Sequence, residues 1–129
     1  MIKNFITSLL FLLFISNGLM AQEANETNDE AVIANLEEGV QSENLGLKVS
    51  SAYYLGEKRS KDSVIPLMKI LKGDENPEAR IIAALSLFKI GDEQGMFAVK
   101  RAIKFDDSPR VAKICNIFYT MYSDQQKNK

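Results

Sequence analysis

The chain contains no histidine, no tryptophan and a single cysteine, Cys115. The absence of histidine excludes Ser-His-Asp and Cys-His catalytic arrangements as well as histidine-based zinc sites. One cysteine cannot form an internal disulfide, so the fold depends on packing alone. We expect Cys115 to be a small buried hydrophobe rather than a reactive thiol, because it lies at an apolar position and has no histidine beside it.

The glycines and acidic residues give no catalytic pattern either. Gly91 and Gly95 enclose an acidic stretch, but the Lys-Ser or Lys-Thr of a phosphate-binding loop does not follow them. The paired acids fall mostly in predicted turns or at helix ends, where solvation or the helix dipole explains them: Glu37-Glu38, Asp74-Glu75, Asp92-Glu93 and Asp106-Asp107. We therefore predict a protein that is not an enzyme and that uses no metal and no cofactor.

The first 21 residues have the pattern of a secretory signal peptide. Lys3 precedes an apolar run over 9–15, and Ala21 provides a small residue for cleavage. The apolar run is shorter than the roughly 20 residues that span a bilayer, although an uncleaved membrane anchor remains an alternative. Processing would leave no membrane span. The expected location is the bacterial periplasm or the medium.

Residues 22–30 are acidic and lack large apolar side chains, which predicts a flexible leader. A repeating pattern begins after it. Asn44, Asn76 and Ser108 are spaced by 32 residues, and a proline directly follows the second and third of them. A fixed period of this length indicates stacked supersecondary units that bury their apolar faces against one another.

The same register predicts the buried positions of each unit. The expected core positions, small or apolar in each unit, include Leu47 with Ala79 and Val111, Ser51 with Ala83 and Cys115, Leu55 with Leu87 and Tyr119, and Ile65 with Phe97. Caps, prolines and the glycines Gly56, Gly73 and Gly91 then set the helix boundaries. We predict six helices: Glu30–Gln41, Leu45–Lys58, Ser63–Lys72, Pro77–Ile90, Glu93–Phe105 and Pro109–Tyr122.

The expected fold is all-α, an α-solenoid of about three stacked antiparallel helix pairs over residues 31–123, followed by a polar tail over 124–129. The helix over 77–90 is apolar on nearly every side, so we expect it to be central. The helix over 30–41 has a narrow apolar stripe typical of a cap.

The segment from Asn76 to Asp92 resembles a HEAT repeat of the short bacterial type that is also found in phycobilin lyases. The resemblance rests on proline at the helix start, Arg80 three residues later, paired alanines and a final Gly-Asp turn. It extends over about residues 44–122, with Lys48 and Ala112 in place of the arginine in the neighbouring units. It implies an α-solenoid used as an interaction surface, and no particular reaction. A tetratricopeptide array is the nearest rival.

Charge is distributed unevenly along the chain. Residues 22–47 hold seven acids and no base, whereas residues 48–129 hold fifteen bases and ten acids. The expected partner-binding residues lie on the second helices of the units, which by resemblance line the concave side of the solenoid: Lys69, Lys72, Lys100, Arg101 and Lys104. This basic strip suits a protein partner with an acidic segment. Ordinary solvated helix faces would give the same pattern.

We therefore predict an exported interaction or scaffold module, with an accessory or lyase-like small-molecule unit of an envelope enzyme system as the alternative. Nucleic acid is not expected, because of export and because Tyr53, Tyr54 and Tyr119 have core or near-core positions. A further alternative is that the acidic leader folds back and masks the strip. The sequence leaves the oligomeric state open.

Overall fold

The computed structural model describes residues 28–129, so the predicted signal peptide and residues 22–27 of the leader lie outside the described residues. The chain divides into two units, Met1–Val32 and Ile33–Lys129. Of the first unit only residues 28–32 are described, and they are helical. Residues 28 and 29 therefore belong to a helix, whereas the sequence had assigned them to a flexible leader, and Glu30, which the sequence had placed in the leader and at the start of the first helix, is helical.

Residues 28–129 form six α-helices and no strand, which confirms the predicted fold class. The first helix, α1, covers residues 28–39. The others are α2 (Leu45–Lys58), α3 (Val64–Gly73), α4 (Pro77–Ile90), α5 (Glu93–Phe105) and α6 (Pro109–Lys127). The predicted bounds of α2, α4 and α5 are confirmed, and α3 begins and ends one residue later than expected.

Side-chain caps start α2, α4, α5 and α6 at the residues that the sequence predicted, whereas Ser63 before α3 makes no such bond. The side-chain oxygen of Asn44 accepts a hydrogen bond from the Leu47 amide at 3.0 Å, and that of Asn76 accepts from the Glu78 amide at 2.8 Å. Asp92 caps α5 by accepting from two amides, and Ser108 caps α6 ahead of Pro109. These contacts satisfy amides that have no partner within the helix.

Helix ends agree less well with the glycine pattern. Gly91 ends α4 in the left-handed region at φ 71°, as expected, but Arg59 takes the equivalent position after α2 at φ 52°. Gly56 lies inside α2 and Gly73 is the last residue of α3, so neither is the left-handed cap. Helix α6 runs to Lys127, five residues beyond the prediction, because no glycine or proline stops it. Residues 124–127 are thus helical.

Helices α2 to α6 pack in two layers. Helix α4 is central and contacts α2, α3, α5 and α6, as predicted. Helices α2, α4 and α6 form one layer, while α3 and α5 contact each other in the second. Short turns join α3 to α4 and α4 to α5, so α3 and α5 run in the same direction. The consecutive antiparallel pairs stack as the 32-residue period predicts.

The core follows the repeat register through most of the unit Ile33–Lys129. Leu55 and Leu87 are fully buried at one shared position, and Ala83 and Cys115 are fully buried at another. Burial of a leucine side chain contributes about 2 kcal/mol. Leu47 departs from the prediction and is 51% exposed, although Gly39 of α1 lies beside it.

Within the described residues no helix is both long enough and apolar enough to cross a membrane.

Candidate functional site

The five cations that the sequence selected lie on α3 and α5, and all five are exposed. Lys69 and Lys72 belong to α3, and Lys100, Arg101 and Lys104 belong to α5. Their orientation follows from the opposite faces of these helices, which bury Leu67 and Val99 against the rest of the core. The amphipathic pattern therefore directs the cations away from the core.

A groove with a volume of about 630 Å³ lies between α3 and α5. We call it the α3–α5 groove. Its lining is mostly apolar and comes from α3, from α5 and from the residue after α5: Ile65, Met68, Lys69, Leu71, Lys72, Gln94, Phe97, Ala98, Arg101, Ala102, Phe105 and Asp106. The alanines leave room between the larger side chains, so an apolar floor is accessible from solvent.

The structure brings three of the five predicted cations together at this groove. Lys69, Lys72 and Arg101 line it. Lys100 instead faces α6, with its Nζ 5.3 Å from the centre of the Tyr119 ring. The Nζ of Lys104 lies 5.4 Å from the centre of the Phe105 ring. The predicted strip therefore splits into a groove trio, Lys69, Lys72 and Arg101, and two flanking lysines.

The groove trio forms no salt bridge within residues 28–129, in contrast to several cations elsewhere. Lys89 pairs with Glu57, and Arg110 pairs with Glu78 one period away. The Arg101 guanidinium carbon lies 5.7 Å from the centre of the Phe105 ring. Asp106, the only acid among the described residues that line the groove, is already bound to Arg80. The positive charge at the groove is therefore available to an outside anion.

Exposed apolar side chains form part of the groove, and the sequence prediction was wrong about them. Ile65 is 47% exposed and Phe97 is 61% exposed, although their shared register position had been assigned to the core. Phe105 is 67% exposed. A signal was present in the sequence: Ile65 and Phe97 each precede a cation of the groove trio by four residues, which places them on the same exposed helix face.

The tyrosines also differ from the prediction. Tyr54 is 56% exposed and Tyr53 is 39% exposed, so neither is a core residue. Tyr53 and Tyr54 form an edge-to-face pair on α2 with ring centres 5.6 Å apart. The Nζ of Lys89 lies 4.3 Å from the centre of the Tyr53 ring. The two rings are held by each other and by the Lys89–Glu57 ion pair rather than by the core.

A second polar cluster lies at the turns that follow α3 and α5. Arg80 is 6% exposed, and its guanidinium donates to both carboxylate oxygens of Asp106, at 3.0 Å from Nε and 2.9 Å from Nη2. The same group donates to Asp107 at 2.7 Å and to the backbone carbonyl of Asp74 at 2.7 Å. The hydrogen bonds that the Asp106 carboxylate accepts from the guanidinium raise the pKa of Arg80.

The cluster repeats once along the chain. Lys48 donates to the Asp74 carboxylate, and both this pair and the Arg80–Asp106 pair are separated by 26 residues. Burial pushes the pKa of Asp74 upward, but the bonds from Lys48 and the Asn76 amide outweigh it and hold the pKa below its ordinary value of 3.8. Each of the three guanidinium nitrogens of Arg80 donates a hydrogen bond, and the two ion pairs join neighbouring units. Sequence reasoning missed the acidic partners, although their spacing from the cations was visible.

No candidate nucleophile arises from Cys115. It is fully buried, and burial raises the pKa of its thiol to about 12. The thiol therefore stays protonated at neutral pH, as the sequence predicted for a structural cysteine. Within residues 28–129 no three histidine, cysteine or acidic side chains are placed to hold a metal ion.

No protein-family model matches the chain, and no curated protein sequence matches it.

Proposed function

We propose that this protein is a non-enzymatic interaction module that holds an acidic segment of a protein partner in the α3–α5 groove. The observation that carries the proposal is an accessible apolar floor bordered by Lys69, Lys72 and Arg101, cations without salt bridges in the described part of the chain. Charged rims around an apolar centre are the common design of protein interfaces. The rim would speed encounter and select partners by charge.

The same proposal includes membership of the HEAT-like repeat proteins. Support comes from the two-layer stack and from the inter-unit pairs Lys48–Asp74 and Arg80–Asp106, which recur with the 32-residue period. Repeats of this kind contact only their neighbours and present an extended face for binding.

Export to the periplasm or the medium is a further part of the proposal and rests on the sequence of residues 1–21. Expression of the full chain in a bacterium, followed by fractionation and mass determination, tests it. The expected product begins at Gln22 and is found outside the cytoplasm. Recovery of the uncleaved chain from the membrane fraction would favour the anchor instead.

Capture experiments with a charge-reversed groove test the binding function. The bait is the full chain, and the groove variant carries Lys69→Glu with Arg101→Glu. The matched control carries Lys61→Glu with Lys113→Glu, since both lysines are exposed, neither lines the groove, and neither forms a salt bridge within the described part of the chain. The two variants have the same net charge.

We expect the wild type and the control to recover the same partners, identified by mass spectrometry. The amount recovered with the groove variant should be at least tenfold lower. The recovered proteins should share an acidic segment, and their binding should weaken as salt is raised. Equal recovery with all three baits would contradict the proposal.

A further inference from the structure

The α3–α5 groove is long enough to hold a short helix of a partner. Its α5 wall has the spacing i, i+3, i+4, i+7, i+8 and i+11 and so forms one continuous helix face: Gln94, Phe97, Ala98, Arg101, Ala102 and Phe105. At 1.5 Å per residue this wall is about 16 Å long, or three helical turns. Because α3 runs in the same direction on the other side, the groove follows both helices rather than crossing them.

The chemistry of the lining favours a ligand whose backbone is already hydrogen-bonded. The floor consists of faces of two helices, whose own backbone groups are bonded within each helix. Among residues 28–129, Gln94 is the only one with a side-chain amide that lines the groove, and no serine or threonine of that range lines it. An extended segment pressed onto this floor would leave backbone N–H and C=O groups without partners, which is costly on an apolar surface.

The distribution of charge defines the other requirement. Lys69 and Arg101 occupy the same register position on opposite walls, each four residues after an exposed apolar side chain, Ile65 or Phe97. A ligand helix with an apolar stripe would cover Ile65 and Phe97, and acidic residues flanking that stripe would reach the two cations. A flat lipid surface would meet the same cations but would not fill a groove of about 630 Å³.

From these observations, and resting on the proposed function, we infer that the occupant of the α3–α5 groove is an amphipathic α-helix of a partner protein, with an apolar stripe bordered by glutamate or aspartate, lying along α3 and α5. This is helix-in-groove recognition, in which anchors at i, i+3, i+4 and i+7 supply the contacts. The exposed Phe97 and Phe105 rings are the groove side chains that would contact those anchors.

Designed peptides test the inference on the full chain. The probe is a peptide of about 14 residues, stapled on its solvent face because short isolated helices are marginal in water, with leucines on one stripe and glutamates beside it. One comparison peptide has the same composition and staple but its leucines distributed around the helix. A second comparison peptide has the sequence of the probe with a proline at its centre and has no staple.

We expect the striped helix to bind at least ten times more tightly than either comparison peptide, as measured by fluorescence anisotropy. Phe97→Ser should weaken its binding about tenfold, and Arg101→Glu should weaken it by a similar factor. Tyr54→Ser and Lys113→Glu, which alter exposed residues outside the groove, should leave the affinity within about twofold. Circular dichroism verifies that each variant is folded.

Several results would overturn the inference. Equal binding of the proline peptide would show that the groove binds an extended ligand. Equal binding of the helix with leucines on all sides would show that the groove recognises only the charge of the ligand. No binding by any peptide would also reject it, while the capture experiment judges the interaction function separately. Binding of vesicles containing phosphatidylglycerol that is lost in Phe97→Ser would assign the face to lipid and reject a peptide ligand.

Discussion

At the scale of single residues, the buried guanidinium of Arg80 makes the most extensive set of charged hydrogen bonds in the described part of the chain. Its position after a helix-initiating proline was visible in the sequence, but its burial and its acidic partners were not. The bidentate bond to Asp106, whose side chain is 5% exposed, removes both charges from water and is tolerable only while the two remain together.

Arg80→Ala is expected to lower the free energy of unfolding by about 3 kcal/mol, because it leaves Asp106 as a buried carboxylate without its cation. Urea denaturation followed by circular dichroism measures the change. The matched control is Arg110→Ala, which breaks an exposed pair with Glu78 and should cost no more than about 0.5 kcal/mol. Similar losses in the two variants would show that burial of the Arg80 pair is unimportant.

Asp74 gives a pH dependence whose sign follows from its lowered pKa. A carboxyl with a lower pKa in the folded state stabilises the fold above its unfolded value of about 3.8. That contribution is lost as the pH falls below 3.8 and through the folded pKa. Asp74→Asn should therefore reduce the acid-induced loss of stability between about pH 5 and pH 2, as measured by urea denaturation at each pH. An unchanged pH profile would contradict this assignment.

At the scale of helices, the close approach of α2 and α4 depends on a glycine. A Cβ at Gly56 would lie 2.7 Å from the Cα of Ser86. The Ser86 hydroxyl donates to the Ala52 carbonyl at 2.7 Å in the same buried contact, which fixes the two helices at this distance. The sequence suggested a helix end at Gly56, whereas the structure shows a packing requirement.

Gly56→Ala should destabilise the protein by about 2 kcal/mol, since the added methyl group meets backbone that cannot move without shifting α4. Gly73→Ala is the control, because a Cβ there would have no atom of residues 28–129 within 4 Å and the φ of Gly73 is not positive. It should be neutral or stabilising by up to about 1 kcal/mol. Thermal unfolding compares the two variants, and an equal effect would rule out the α2–α4 contact as the cause.

Helix boundaries were largely predictable at this scale because their signals are local. The caps at Asn44, Asn76, Asp92 and Ser108 act on amides two or three residues away. The prediction failed where no such signal exists. Helix α6 continues through Asp124 to Lys127, residues without a stop signal, and their side chains form an i,i+3 ion pair.

At the scale of the whole unit Ile33–Lys129, stability depends on one continuous core organised around α4. Helix α4 contacts four other helices, and Leu87 at its centre is fully buried. Units that cannot bury their apolar faces alone are expected to unfold together in so short a stack.

Leu87→Ala is therefore expected to cost about 3 kcal/mol and to shift the entire unfolding transition to lower urea concentration. Helical circular dichroism and tyrosine fluorescence should report the same midpoint, because Tyr53 on α2 and Tyr119 on α6 lie on either side of α4. Two separated transitions would show that the units fold independently, contrary to a shared core.

The sequence alone determined the helical class, the 32-residue period, the caps and most helix bounds, because these depend on contacts within a few residues. It also identified the cations on α3 and α5. Only the tertiary structure decided which apolar faces stay uncovered, as at Ile65 and Phe97, and which charges are paired, as at Arg80. Those outcomes depend on side chains and helices that lie tens of residues away along the chain, so a pattern within one helix does not determine them.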